Sequence, residues 1–170
     1  FLINETYSLP VLSIVTSPGN LWNDSTGIYI QGSNGVKGAI GPVANWNQDW
    51  KRPANLEYFN KMNGSLAFNE QAGIKIVGFY ISSLPQKPLG IYFRNKYGNE
   101  RVNYKIFEDK EIDSFENLIL RPGTFWKTLF RDGLMQTLVA KETSLDYQAY
   151  QPVIVLINGV YYGIEGLREK

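Results

Sequence analysis

The sequence predicts an α+β domain, a mostly antiparallel β-sheet with one major α-helix. Three observations carry that prediction. Short β-branched runs with period-2 alternation recur along the chain, Asn-Gly and Pro- or Gly-bearing turns separate them, and a single stretch has apolar residues at helical spacing. With 170 residues, 44% hydrophobic and 19% charged, the composition is globular. A chain of this size buries about two-thirds of its unfolded surface. No repeat, low-complexity tract or linker divides it, so residues 1–170 are read as a single unit.

The first strand is Val11-Leu12-Ser13-Ile14-Val15, closed by the turn cluster Ser17-Pro18-Gly19-Asn20. Gly27-Ile28-Tyr29-Ile30 suggests a second short strand. Gly32 to Val43, rich in Gly, Ser and Asn, reads as a long loop. Ala54–Asn60 and Gly73–Val77 alternate apolar and polar residues and are expected to pair antiparallel, with a turn at Lys61-Met62-Asn63-Gly64. Leu89–Arg94 is the next strand, entered through Pro85-Gln86-Lys87-Pro88, and Val102–Ile106 alternates again. Phe115–Arg121 is a strand ended by Pro122-Gly123.

The helix is expected over Phe125–Glu142, with Leu129, Phe130, Leu134, Leu138 and Val139 on one face and Thr124 as N-cap. Gly133 is its weak point, costing about 1 kcal/mol against Ala in a helix interior. The strongest hairpin signal is Asn158-Gly159, between Val153–Ile157 and Tyr161–Leu167.

Seventeen basic and sixteen acidic residues leave a net charge of +1, so no broad field draws the chain to nucleic acid or anionic lipid. Cysteine and histidine are both absent. That excludes disulfides, thiolate zinc sites, a Ser/His/Asp triad and a histidine base, leaving carboxylates, lysine, tyrosine and hydroxyls for chemistry. The longest apolar run, Val153–Ile157, is far short of the roughly 20 residues of a membrane span, so no membrane insertion is expected. A start at Phe1 without methionine is read as a processed or trimmed product. The sequons at Asn4, Asn23 and Asn63 are read as polar turns. Trp46 and Trp50, in the polar Asn45–Trp50 stretch, are a candidate stacking surface for sugars or peptides. No metal-binding constellation is recognised among the carboxylates.

Several segments in order resemble the CotH kinase-like family, the spore-coat-protein-H type of atypical kinase domain. They are Leu9–Thr16 with Gly27-Ile28-Tyr29, Trp50–Ala54 before Glu57-Tyr58-Phe59, and Ala72–Ile76 with Gly78 and Pro85-Gln86-Lys87. Leu120-Arg121, Phe130-Arg131-Asp132, Gln148–Pro152 and Leu156–Ile164 complete the set. The resemblance implies the small lobe of an atypical protein kinase-like fold, residues 1–170 being its N-terminal lobe and a C-terminal lobe of the same protein its partner.

In such a lobe Gly78–Ser83 would be the phosphate-covering turn. Gly78, Ser82, Ser83 and Lys87 would contact nucleotide, with Arg121, Arg131 and Asp132 in support. ATP and Mg are the implied cofactors, bound only together with the second lobe. The catalytic-loop and metal-binding carboxylates follow the hinge in kinases. No catalytic residue is therefore assigned here, and these residues alone are not expected to transfer phosphoryl groups. The implied activity is Ser/Thr phosphorylation of extracellular or coat proteins, at a secreted or cell-surface location.

Two departures from the family pattern are Ile81-Ser82, where Ser-Arg is frequent, and Pro122, where asparagine is. Both remove polar groups. They keep a second expectation open, a non-catalytic binding or structural module of a secreted surface protein that holds a glycan or peptide.

Overall fold

The computed structural model describes residues 7–60, 64–123, 128 and 130–170. Along these residues run β1 (Val11–Val15), β2 (Val36–Lys37), β3 (Val43–Ala44), β4 (Arg52–Phe59), β5 (Leu66–Ile76) and β6 (Leu89–Tyr92). Then follow β7 (Val102–Asn103), β8 (Ser114–Phe115), β9 (Asn117–Pro122), β10 (Gln151–Ile157) and β11 (Val160–Glu169). The α-helices are the short α1 (Pro18–Trp22) and α2 (Arg131–Glu142).

Seven strands close into a barrel in the order β1-β10-β11-β9-β6-β5-β4. This overturns the expected α+β arrangement of a kinase small lobe, a sheet with a helix beside it. The described residues are mostly β, and the longer of their two α-helices, α2, lies outside the barrel. The reason is a pairing that local pattern does not reveal. β1 runs antiparallel to β4 and parallel to β10, with Val11 opposite Ile154 and Ile14 opposite Ile157. The Ile154 amide donates to Pro10 O at 2.9 Å and the Asn158 amide to Ile14 O at 2.8 Å. Without β1, β4 and β10 would each expose a row of unpaired backbone groups; one inserted strand satisfies both edges.

Alternation along each strand sends one set of side chains inward. Leu12, Ile14, Leu56, Tyr58, Ile74, Ile76, Leu89, Ile91, Leu118, Leu120, Val153, Val155 and Leu167 all belong to one buried cluster. β4 has the buried period-2 pattern that its sequence predicts, and it pairs with β5 as expected. The Asn-Gly hairpin is also as read. Asn158 (φ 51°) and Gly159 (φ 80°) both take the left-handed backbone that this tight turn requires. Asn158 Oδ1 also accepts the Thr16 amide at 2.9 Å.

Other elements differ in detail. Ser17–Asn20 leads into α1 instead of a simple turn. Ile28 and Tyr29 are buried but not in a strand; their amides donate to Asn20 O and Leu21 O, carbonyls at the end of α1. The Gly32–Val43 loop contains β2, paired to β3. Val102–Ile106 shortens to β7, and the strand expected over Phe115–Arg121 breaks at Glu116, whose carbonyl accepts the Phe93 amide. Asn23 forms the polar turn expected of it, its Oδ1 accepting the Ser25 and Thr26 amides. The expectations for Asn4–Thr6, Lys61–Asn63, Thr124, Phe125 and Leu129 lie outside the described residues.

The described helix starts at Arg131, with Phe130 at its N-cap position, instead of at Phe125. Its apolar face does not pack inward, since Leu134 and Leu138 are exposed and Gly133 is the buried residue. Gly133 is therefore a close-approach point. A Cβ there would stand 2.6 Å from the Tyr150 ring. No helix among the described residues is long and apolar enough to cross a membrane.

Candidate functional site

Residues whose neighbours point into the barrel point out of it, and on the β5-β6-β9-β11 face they form a row: Lys75, Gly90, Ile119 and Arg168. A cleft of about 350 Å³ opens on this face, lined by Val77, Gly78, Pro88, Ile119, Arg121 and Lys170 among others. Beside it Gly90 is closely covered; a Cβ there would stand 2.8 Å from Val77 and 2.9 Å from the Tyr92 ring. Tyr92 packs over Gly90, and the Lys170 ammonium donates to its hydroxyl at 2.6 Å. Gly78, at φ +91°, turns the chain out of β5 in a conformation that side chains disfavour.

One carboxylate organises the cationic wall of the cleft. Asp132, in the first turn of α2, lies 2.8 Å from Arg168 Nη2 and 3.4 Å from Arg121 Nη1. Arg168 is buried and Arg121 is about half exposed. Burial pushes the Arg168 pKa down while the adjacent Asp132 holds it up, and a guanidinium stays charged in either case. The helix reaches the sheet here because the Tyr150 ring fits between two glycines. A Cβ on Gly133 or Gly166 would come within 2.6 or 2.7 Å of it. The Arg168 guanidinium lies 5.0 Å from the Tyr150 ring centre. Gln136 Oε1 accepts the Gln148 amide at 2.9 Å, a second tether of the helix.

A second cluster fixes the turn beside the cleft. Lys87 is buried, and its ammonium donates to Ser82 O at 2.7 Å and Leu84 O at 2.9 Å while facing the Trp46 ring at 4.0 Å. Its pKa is lowered to about 8 by burial. The Lys87 amide donates to the Tyr162 hydroxyl at 2.8 Å, and the Tyr29 hydroxyl donates to Pro85 O at 2.6 Å. The two phenols also contact each other, and burial raises both their pKa values. Glu165 points into the barrel nearby, with neither carboxylate oxygen hydrogen-bonded. Burial pushes its pKa up to about 8.

The residues picked out by sequence thus divide into groups. Gly78 and Arg121 meet in the cleft, and Asp132 contacts Arg121. Arg131 is exposed, while its neighbour Asp132 turns to the sheet, as the roughly 100° between adjacent helical residues requires. Ser82 is buried, its hydroxyl donating to Phe79 O at 2.5 Å, whereas Ser83 is exposed. Lys87 directs its ammonium to backbone carbonyls. Trp46 and Trp50 pack against the core, and a cation stands over each ring, Lys87 at 4.0 Å and Arg52 at 4.8 Å.

Sequence reading missed Arg168, Gly90, Tyr150 and Glu165. A signal for two of them existed. In Glu165-Gly166-Leu167-Arg168, period 2 puts Glu165 on the Leu167 face and Arg168 on the opposite one. Among the described residues no group of three acidic, His or Cys side chains converges as metal ligands.

The model of one protein family, described as CotH kinase protein, matches residues 74–170, which include every named cleft residue. No curated protein matches the chain.

Proposed function

This chain belongs to the CotH kinase family, and we propose that its outer cleft binds the phosphates of a nucleoside triphosphate such as Mg-ATP. The observation that carries the reading is the meeting of an accessible cation, Arg121, with a glycine-turned backbone segment, Gly78, across an apolar floor of Val77 and Ile119. A guanidinium offers five N–H donors in a rigid fork suited to phosphate oxygens, and backbone amides near a glycine can approach them closely. The apolar floor fits a flat ring, so Val77, Ile119 and Lys170 would orient a base while Arg121 holds the phosphates. Bound ATP would supply a transferable phosphoryl group. Magnesium would enter with the nucleotide, and none of the described residues is assigned to it.

Lys87 and Ser82 enter this reading as residues that shape the phosphate-covering turn from Gly78 to Ser83. In the whole protein the chain would contribute nucleotide contacts to Ser/Thr phosphorylation of secreted or coat proteins, completed by a second lobe with the catalytic carboxylates.

Calorimetric titration of Mg-ATP into the chain tests the proposal. Arg121→Ala is expected to weaken binding at least tenfold, the scale of a charge-assisted phosphate contact of about 1.5–3 kcal/mol. Lys87→Ala separates the roles, because an effect confined to stability would support its part in shaping the turn. Unchanged affinity in Arg121→Ala would end the phosphate reading.

A further inference from the structure

We infer that Arg168 is a positioning residue that keeps Arg121 available to an anion in the cleft by taking Asp132 for itself. The inference rests on the phosphate reading of the cleft and assigns a role to a residue outside its lining.

Two guanidinium groups share a single carboxylate oxygen, and the contacts are unequal, 2.8 Å to Arg168 and 3.4 Å to Arg121. The inequality has a physical cause. The Arg168 side chain is 3% exposed and the Arg121 side chain 44%. A buried guanidinium has lost its water and cannot lose its proton, so it needs the counter-ion more than an exposed one does. Arg168 is also fixed in place. It lies against Tyr150, which Gly133 and Gly166 enclose, and its other polar contact is a long one to Gln148 Oε1 at 3.4 Å, with Nε unpaired. Asp132 is thus held toward the sheet, and Arg121 is left with a loose contact through Nη1 alone. Two positive charges against one negative leave this trio with a charge of +1.

Removal of Arg168 changes this balance. Asp132 then has Arg121 as its one arginine partner, and the pair is neutral where phosphate would bind. Asp132 already lies 3.4 Å from Arg121, so a small side-chain shift closes that contact while Tyr150 and Gln148 still hold the helix.

The test is Mg-ATP affinity of the full chain in wild type, Arg168→Met, Asp132→Asn and the double variant. Arg168→Met is expected to bind about tenfold more weakly, the scale of one charge near a protein surface. Arg168→Met with Asp132→Asn is expected to return to within about threefold of wild type, because no carboxylate remains to capture Arg121; a merely structural role would not be rescued this way. Asp132→Asn alone is expected to tighten binding, and it carries the test if Arg168→Met does not fold. A double variant no better than Arg168→Met, or weaker binding in Asp132→Asn, overturns the inference.

The rate of Arg121 modification by phenylglyoxal, mapped by mass spectrometry, needs no nucleotide. Slower modification in Arg168→Met supports the inference even if wild type binds no Mg-ATP, in which case the nucleotide reading alone fails. An unchanged rate counts against the role of Arg168.

Discussion

Two buried titratable groups, Glu165 and Lys87, are expected to give this barrel a stability minimum near pH 8, and Glu165→Met isolates the larger contribution. The Glu165 carboxyl lies inside the barrel with both oxygens unpaired, and burial raises its pKa from 4.5 to about 8. Between those values the folded state binds the proton more tightly than the unfolded state does. The stability this provides is complete below pH 4.5 and is lost as pH rises through 8. The pKa gap corresponds to about 5 kcal/mol at 1.36 kcal/mol per pH unit.

Lys87 acts in the opposite sense. Burial lowers its pKa from 10.5 to about 8, so the unfolded state binds the extra proton between those values and stability recovers above pH 8. The full Lys87 gap is worth about 3 kcal/mol, and less is expected because Ser82 O and Leu84 O solvate the charged form. Urea unfolding at pH 5, 8 and 9.5 is the assay. With a slope of about 2 kcal/mol per molar, the wild-type midpoint should fall by roughly 2 M from pH 5 to 8 and then rise. Glu165→Met should flatten the first limb and Lys87→Met the second. A wild-type midpoint constant from pH 5 to 8, or an equal fall in Glu165→Met, refutes the reasoning.

Gly133→Ala sets a helix-propensity gain of about 1 kcal/mol against overpacking of about 1–3 kcal/mol. Because the new Cβ would stand 2.6 Å from the Tyr150 ring, a lower melting temperature is expected; a higher one would mean that the ring yields freely. Asn158→Ala removes both the left-handed preference and the acceptor for the Thr16 amide, and should cost about 1–3 kcal/mol in chemical denaturation. Tyr29→Phe deprives Pro85 O of its donor and should cost about 1–3 kcal/mol, with faster hydrogen exchange at the Lys87 amide as the local readout.

What the sequence by itself determined was local. The period-2 alternation of Leu56 and Tyr58 specifies which side of β4 faces the core. Asn158-Gly159 specifies its own turn, because the two backbone conformations that turn requires are intrinsic to those residues. The order of Ala72–Ile76, Gly78, Leu120-Arg121 and Leu156–Ile164 carries the family. In the cleft, Gly78 and Arg121 were legible through the family resemblance, whose segments include them.

What only the tertiary structure decided was which elements meet. Alternation gives β1 a face but not two partners, and its parallel pairing with β10 joins segments about 140 residues apart, which turns an expected antiparallel sheet with a helix beside it into a barrel. The same distinction governs the site. Gly133 reads as a helix defect until Tyr150 is seen against it. Arg168 reads as a strand-end charge until Asp132 arrives from α2. Lys87 reads as a free cation until the carbonyls of its own turn surround it. A side chain's chemistry is local, but its charge balance, burial and partners depend on residues distant in sequence that only folding brings within reach.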